Sequence, residues 1–346
     1  MIVNRNGEAR GAWFPFFSGC LVASRSVRFH SVPFGFIALR SGFPVSISLL
    51  EFKFTMKPAS FEYHKPTTLG EAVALLGQLE NDGVDVKILA GGQSLIPMLA
   101  LRVARPETLI DLGQIKELDY IRDEGNVIAI GSMASKHAAA VSPLIEAKQR
   151  LFHDASELVG HRQIRNRGSV GGSFAHADPA SEYPAVALVL DMEFKAVGPE
   201  GERRIAAADF FVTYMTTSLE TNEILTEVRI PMLPAGTGWA IREEARRNGD
   251  LALAGVCLTL TKAAGVIGAV KIAAFGVNPT AVRLTAAEDA LRGQPATAEN
   301  FAHAAAAGAA ALDEPMSCIH ASADFRRALV QALTERCLAD AAARAA

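Results

Sequence analysis

Cysteine is scarce in this chain. Its four thiols, Cys20, Cys257, Cys318 and Cys337, lie far apart, with no CxxC pair and no histidine at zinc-ligand spacing beside them. That argues against a disulfide framework, a structural zinc or an iron–sulfur cluster held by these residues, and fits buried free thiols in a reducing, cytoplasmic setting. No run of about 18 apolar residues is long enough to span a bilayer. An excess of positive charge is missing too: 34 basic and 37 acidic side chains leave a net charge of -3, which gives no general field for nucleic acid or an anionic membrane. Neither the P-loop pattern nor GxGxxG occurs, so a nucleoside triphosphatase or a Rossmann site is disfavoured. His64, His137, His153, His161 and His303 are scattered without partners at metal spacing, and read as surface or packing residues.

What is present is enough apolar sequence for a full core, 50% of 346 residues. Residues 1–55 mix arginines with phenylalanines and have no apolar periodicity. Their reading is an upstream extension outside the folded unit, with translation starting at Met56. From Thr68 the pattern is regular. Thr68 and Glu71 form a capping box, Leu69, Val73, Leu76 and Leu79 recur at helical spacing, and Gly83 suits the helix end. A strand over Val86–Leu89, a loop over Ala90–Ser94, a helix over Ile96–Val103 and a strand over Thr108–Leu112 make a small βαβ-type unit. Residues 119–232 read as mixed α+β, with strands at Val127–Ile130 and Glu193–Val197 and a helix near Ala147–Val159. Pro231, Pro234, Gly236 and Gly238 mark a boundary. Beyond it an antiparallel pair, Leu253–Thr261 and Val266–Phe275, precedes two alanine-rich helices, Ala298–Ala311 and Asp324–Ala342, the second with Phe325, Leu329, Leu333 and Cys337 on one face.

Two stretches carry candidate chemistry. In Ala90-Gly91-Gly92-Gln93-Ser94, between a strand and a helix, two glycines let backbone amides approach an anion, so the loop is suited to a pyrophosphate. In Ser169-Val170-Gly171-Gly172-Ser173, small residues again bare the backbone, and Asp178 and Glu182 downstream can accept hydrogen bonds from ribityl or ribose hydroxyls. His176 lies between them. Either stretch alone also fits a plain turn or a solvated polar loop. Together, with Gly92 and Gly172 separated by 80 positions and no catalytic dyad between them, they fit one long dinucleotide bridged by two loops.

That pairing also carries a family resemblance. Val86-Lys87-Ile88-Leu89-Ala90-Gly91-Gly92-Gln93-Ser94-Leu95-Ile96-Pro97 resembles the first FAD motif of the medium subunits of molybdenum hydroxylases of the carbon monoxide dehydrogenase and xanthine dehydrogenase type. Arg162 to Gly172, running into Ala175-His176-Ala177-Asp178-Pro179, resembles the second. Glu223-Ile224-Leu225-Thr226, Arg247-Asn248-Gly249-Asp250 and Arg283 to Leu291 extend the likeness from Met56 to the C-terminus. The resemblance implies an α+β fold: an FAD domain of the vanillyl-alcohol-oxidase-like (PCMH) type over 56–232, with subdomains 56–115 and 116–232, then a small α+β domain of the carbon monoxide dehydrogenase flavoprotein type over 236–342.

It further implies noncovalent FAD, with Ile88, Leu89, Ala90, Gly91, Gly92, Gln93, Ser94 and Leu95, and Ser169, Val170, Gly171, Gly172 and Ser173, lining the pyrophosphate and ribityl chain. Glu182 takes the acidic position of the second stretch. Leu225 matches a residue on the adenine or flavin side, Arg242 stands where xanthine dehydrogenases carry a lysine, and Asp250 precedes the residue covering one flavin face. Here that residue is Leu251, where carbon monoxide dehydrogenases have tyrosine, a departure that weakens a carbon monoxide assignment. The cysteine count leaves no room for the cluster-bearing insert of relatives that reduce aromatic thioesters. No side chain of this chain is required as acid or base, and it carries no metal ligand set. The implied partners are a large molybdopterin-binding subunit and a small [2Fe-2S] subunit, in a dimer of three-chain units, with this chain as the electron-transfer station. Two other readings stand beside it: a free-standing FAD-dependent oxidoreductase of the same fold, and a nonenzymatic nucleotide-binding scaffold.

Overall fold

The computed structural model describes residues 56–346; the expectation for residues 1–55 lies outside the described residues. The first sheet is built from β1 (Glu62–His64), β2 (Val86–Leu89) and β3 (Thr108–Asp111), in the order β1-β3-β2 with both pairings parallel. Parallel neighbours need a crossover. Helices α1 (Leu69–Asn81) and α2 (Leu95–Ala100) supply it. The capping box starts α1: Glu71 N–H donates to Thr68 Oγ1 at 3.2 Å, and Thr68 N–H to Glu71 Oε2 at 3.3 Å. Helix α2 is shorter than the pattern suggests, because the chain turns at Arg102 with φ 57° and the Val103 N–H bonds back to Met98 O.

A second sheet of five antiparallel strands has the order β4-β5-β10-β6-β7. Its strands are β4 (Ile121–Asp123), β5 (Val127–Gly131), β6 (Glu193–Gly198), β7 (Gly201–Ala206) and β10 (Ile224–Pro231). Between β5 and β6 the chain forms α3 (Lys136–Ala140), α4 (Pro143–Lys148), α5 (Arg150–Leu158), α6 (Arg162–Arg167), α7 (Val170–His176) and α8 (Glu182–Leu190). The single helix read near Ala147–Val159 is thus two, broken where Gln149 adopts φ −147° and starts α5 afresh. Residues 169–173, read as a loop, are the cap and first turn of α7, with Ser169 Oγ accepting from the Gly172 N–H at 3.1 Å. A short α9 (Ala207–Phe210) leads into the hairpin β8 (Phe211–Thr213) and β9 (Thr216–Thr217).

The third sheet, β11 (Gly238–Ala245), β12 (Ala252–Ala263), β13 (Val266–Phe275) and β14 (Val282–Arg283), is antiparallel and in sequential order. One face packs Ala240, Val256, Leu258, Ile272 and Ala274 against α10 (Thr285–Leu291), α11 (Ala298–Ala310) and α12 (Ala323–Arg344). The other presents Trp239, Ile241, Cys257, Ala273 and Phe275 to the core of α5, α7 and α8. Burial on both faces explains the nearly unbroken apolar run of β12. It also joins the C-terminal sheet to the rest of the described residues as one compact unit. The buried face of α12 is Arg326, Val330, Leu333, Thr334, Cys337, Leu338 and Ala341, whereas Phe325 is exposed. Of the expected face, Leu333 and Cys337 are buried and Leu329 packs beside them; Phe325 alone points away, and Arg326 next to it turns inward to bond the carbonyls of Leu253 and Gly276. Among the described residues no helix is long and apolar enough to cross a membrane.

Candidate functional site: two glycine loops in contact

The loop after β2 and the cap of α7, far apart in sequence, touch. A Cβ on Gly91 would stand on the Arg167 carbonyl and 2.7 Å from Gly168 Cα, and a Cβ on Gly172 would lie 3.2 Å from Ala90 Cβ. Gly92 has φ +74°, the left-handed region where a side chain is strained. The stretch Ser132–Lys136, just after β5, holds the second loop in place. Lys136 N–H donates to Gly168 O (2.8 Å), Val170 N–H to Ala134 O (2.9 Å) and Gly171 N–H to Ser132 O (2.9 Å). Gly171 is packed so tightly on Ser132 that any side chain there would displace it.

Cavities open on both sides of the first loop. The larger, about 800 Å³, is bounded by Tyr63, Lys65, Leu89, Gly92, Asp111 and Arg167, with Tyr63 hydrogen-bonded to Asp111. The smaller, about 360 Å³, lies between Ile88, Leu95 and Met98 on one side and Gly168, Ser169, Gly172, Ser173 and His176 on the other. Ala90, Gly91, Gly92 and Gln93 border both cavities. Gln93 Nε2 donates to Gly91 O at 3.2 Å and so braces the first loop. An extended ligand could therefore cross the paired loops with its middle on bare backbone and one end in each cavity.

Not every residue singled out from sequence lines these cavities. Ser94 borders the smaller. Val170 and Leu225 are buried in the hydrophobic core of the second sheet. Asp178 makes the turn after α7, accepting from the Ala180 N–H at 2.9 Å. Glu182 is buried in the first turn of α8, where desolvation pushes its carboxyl up to about 7. Arg242 lies on β11 and donates from Nε to Asp340 at 2.7 Å. Asp250 and Leu251 sit on the β11–β12 loop; Leu251 is 66% exposed, and the loop rests on His161, whose ring lies hard against Gly249.

The structure adds residues that sequence reasoning missed: Lys136, Met98, Ala104 and Met215 all line the smaller cavity. Met215 has φ 49°, at the tip of the β8–β9 hairpin. No spacing in the sequence signals them, since each is brought in by a crossover or a hairpin. Glu243 on β11 was missed as well. Its carboxyl is pushed up to about 8 by burial and by the neighbouring Glu182 charge, and its Oε2 has no hydrogen-bond partner among the described residues.

A parallel βαβ layer and an antiparallel layer that meet through two glycine turns define a dinucleotide-binding flavoprotein domain with a helix-backed sheet appended. Comparison with known proteins makes this specific. Residues 59–233 match the FAD binding domain in molybdopterin dehydrogenase, and residues 239–341 match the CO dehydrogenase flavoprotein C-terminal domain. The chain is 42% identical to the carbon monoxide dehydrogenase medium chain of Hydrogenophaga pseudoflava over 292 residues, 84% of this chain and 100% of that one. It is 39% identical to the nicotine 6-hydroxylase medium subunit of Paenarthrobacter nicotinovorans, across 84% and 100% of the two chains. In solved structures, the Hydrogenophaga pseudoflava carbon monoxide dehydrogenase that lacks the Mo-pyranopterin moiety superposes with TM-score 0.80 at 42% identity, covering 84% of this chain and 99% of that chain. Quinoline 2-oxidoreductase from Pseudomonas putida 86 gives 0.79 at 34% identity, covering 83% and 98%. The chain belongs to the family of FAD-binding medium subunits of molybdenum hydroxylases. It is an oxidoreductase subunit, and its cofactor is FAD.

The residues present fit that cofactor. Glycine at 91 and 172 lets the two loops meet without a side chain between them, and the first loop so held borders two cavities, as a molecule with two ring systems and a central diphosphate requires.

Proposed function

We propose that this chain is the electron-transfer station of a three-chain molybdenum hydroxylase, receiving electrons from the [2Fe-2S] clusters of a small partner and passing them to an external acceptor. The organic substrate is oxidised on a large molybdopterin-binding partner, and the assembly is a dimer of such three-chain units working in the cytoplasm. The observation that carries the reading is the contact between the two glycine loops, which makes one cradle with a cavity on each side. The medium-chain relatives, matched along their full length, support it.

The protein's part is binding and placement. Ala90, Gly91, Gly92, Gln93 and Ser94 bring backbone to the diphosphate, and Ser169, Val170, Gly171, Gly172 and Ser173, whose amides from Val170 onward are bonded within the protein, form the facing wall along the diphosphate and ribityl chain. Ile88, Leu89 and Leu95 supply apolar walls. By resemblance to the family, Asp178 and Glu182 are assigned to the hydroxyls, Leu225 and Arg242 to the adenine or flavin side, and Asp250 and Leu251 to a cover over one flavin face, although none of the six borders either cavity. Bound FAD supplies the exchange between one-electron donors and two-electron acceptors. None of these side chains has to act as acid or base.

The test is anaerobic flavin absorbance after adding aldehydes, purines or N-heterocycles, with and without the partner chains. The isolated, FAD-loaded chain should be bleached by dithionite and by none of the organic compounds, and reconstitution should restore bleaching by the complex's substrate. Bleaching of the isolated chain by an organic substrate would favour a free-standing oxidoreductase instead. A colourless preparation that takes up no FAD would leave the scaffold reading.

A further inference from the structure

The smaller cavity is rich in backbone and poor in positive charge. Helix α7 has seven residues and α2 six, too short for either to supply much of a dipole. Three lining side chains can be cationic: Lys87, Lys136 and His176. Lys87 is on the exposed side of β2. Burial and the nearby Lys136 charge lower the His176 imidazole pKa, which outweighs the opposing pull of Asp178 and favours the neutral ring. Lys136 remains.

Its position follows from the contact that pins the second loop. The residue opens α3, its N–H is bonded to Gly168 O, and its side chain runs over Gly168, with Cδ and Cε each 3.6 Å from where a Cβ would be. The ammonium reaches within 5.8 Å of the Tyr183 ring centre. It stands in the field of Glu182 and Asp178, yet no ion pair or hydrogen bond to it is formed among the described residues. Burial pulls its pKa down, and the two carboxylates only partly offset that. An ammonium partly withdrawn from water with a ring face nearby but no hydrogen-bond or ion-pair partner among the described residues is costly, and an anion in the adjoining cavity would relieve the cost.

We propose that Lys136 is the counter-charge for the diphosphate of the bound dinucleotide, so that a side chain from the β5–α3 junction, and not a helix end, makes this cradle select a charged ligand. This rests on the FAD reading and adds a residue to it. The lysine is a binding group that adjusts affinity, with no part in electron transfer.

The experiment uses the full chain stripped of flavin, with FAD rebinding followed by flavin fluorescence at low and high NaCl. Lys136→Met should weaken FAD by roughly tenfold to a hundredfold, the scale of one charge-assisted hydrogen bond, and should flatten the salt dependence because one screened attraction is gone. Lys136→Arg keeps the charge and should stay within about threefold of wild type. The assignment is overturned if Lys136→Met binds FAD as wild type does, if the salt dependence is unchanged, or if Lys136→Arg loses as much as Lys136→Met, which would point to packing over Gly168. A wild-type chain that binds no FAD would instead overturn the two-loop reading itself.

Discussion

Gly91→Ala tests the contact on which the site depends. The added methyl would sit 2.7 Å from Gly168 Cα and closer still to the Arg167 carbonyl, against roughly 3.5 Å for carbon atoms in ordinary contact. The loops would have to part by about 1 Å, the Arg167 carbonyl setting the larger displacement. Both obstructing groups are backbone, and Gly168 is itself tied to Lys136 and Ile164 by hydrogen bonds, so no side chain can rotate away. Overpacking of this kind costs about 1–3 kcal/mol. If bound FAD holds the loops in register, that cost falls on binding and weakens it by roughly 5- to 150-fold. Gly70→Ala is the matched control. It lies in α1 with nothing within 4 Å of its would-be Cβ, and should raise stability by about 0.5–1 kcal/mol while leaving FAD affinity alone. Fluorescence titration with FAD and thermal melting of both variants, with and without FAD, read the two effects. Gly91→Ala protein that binds FAD at wild-type affinity and melts with wild-type flavin stabilisation would refute the idea that the paired loops form the cradle.

Glu243 supplies a pH prediction. Its folded pKa of about 8 lies above the ordinary 4.5, so the folded state holds this proton more tightly than the unfolded chain; the stability it contributes is complete below about 4.5 and is lost as pH rises through about 8. Glu243→Gln should flatten the fall in stability between pH 5 and 9 by roughly 2–4 kcal/mol, discounted for its coupling to Glu182; parallel urea-unfolding profiles for the two proteins would contradict this. Gly255→Ala should destabilise the C-terminal sheet by about 1–3 kcal/mol, since its Cβ would stand inside the Phe275 ring, and an unchanged melting temperature would show that the ring moves freely. Leu251→Tyr should shift the flavin absorbance and slow or speed reoxidation if Leu251 is the cover proposed above, because a ring would then stack on the flavin; if neither changes, Leu251 stands away from the flavin.

Local order was legible in the sequence wherever one residue's chemistry decides it. The Thr68–Glu71 box starts α1, short strand-like runs mark β5 and β6, and the apolar runs of β12 and β13 are present as read. The glycine pairs were visible for the same reason, because only glycine tolerates the positive φ of Gly92 or the close approach at Gly91 and Gly172. What stayed hidden depends on distant neighbours. The break at Gln149 goes with Nε2 reaching Pro231 O, the buried Arg326 of α12 with its bonds to Leu253 and Gly276, and the charge in the cavity with the strand that carries Lys136 to Gly168. Periodicity reports how a segment contacts solvent and core, so it determined the elements, and the two glycine pairs suggested that two loops share one ligand. Whether those loops touch, and which cation and which buried carboxylates stand beside them, was decided by the crossovers of the chain. A side chain's charge and burial are set by what the fold brings against it, and residues far apart along the chain carry no mark of that in their own spacing.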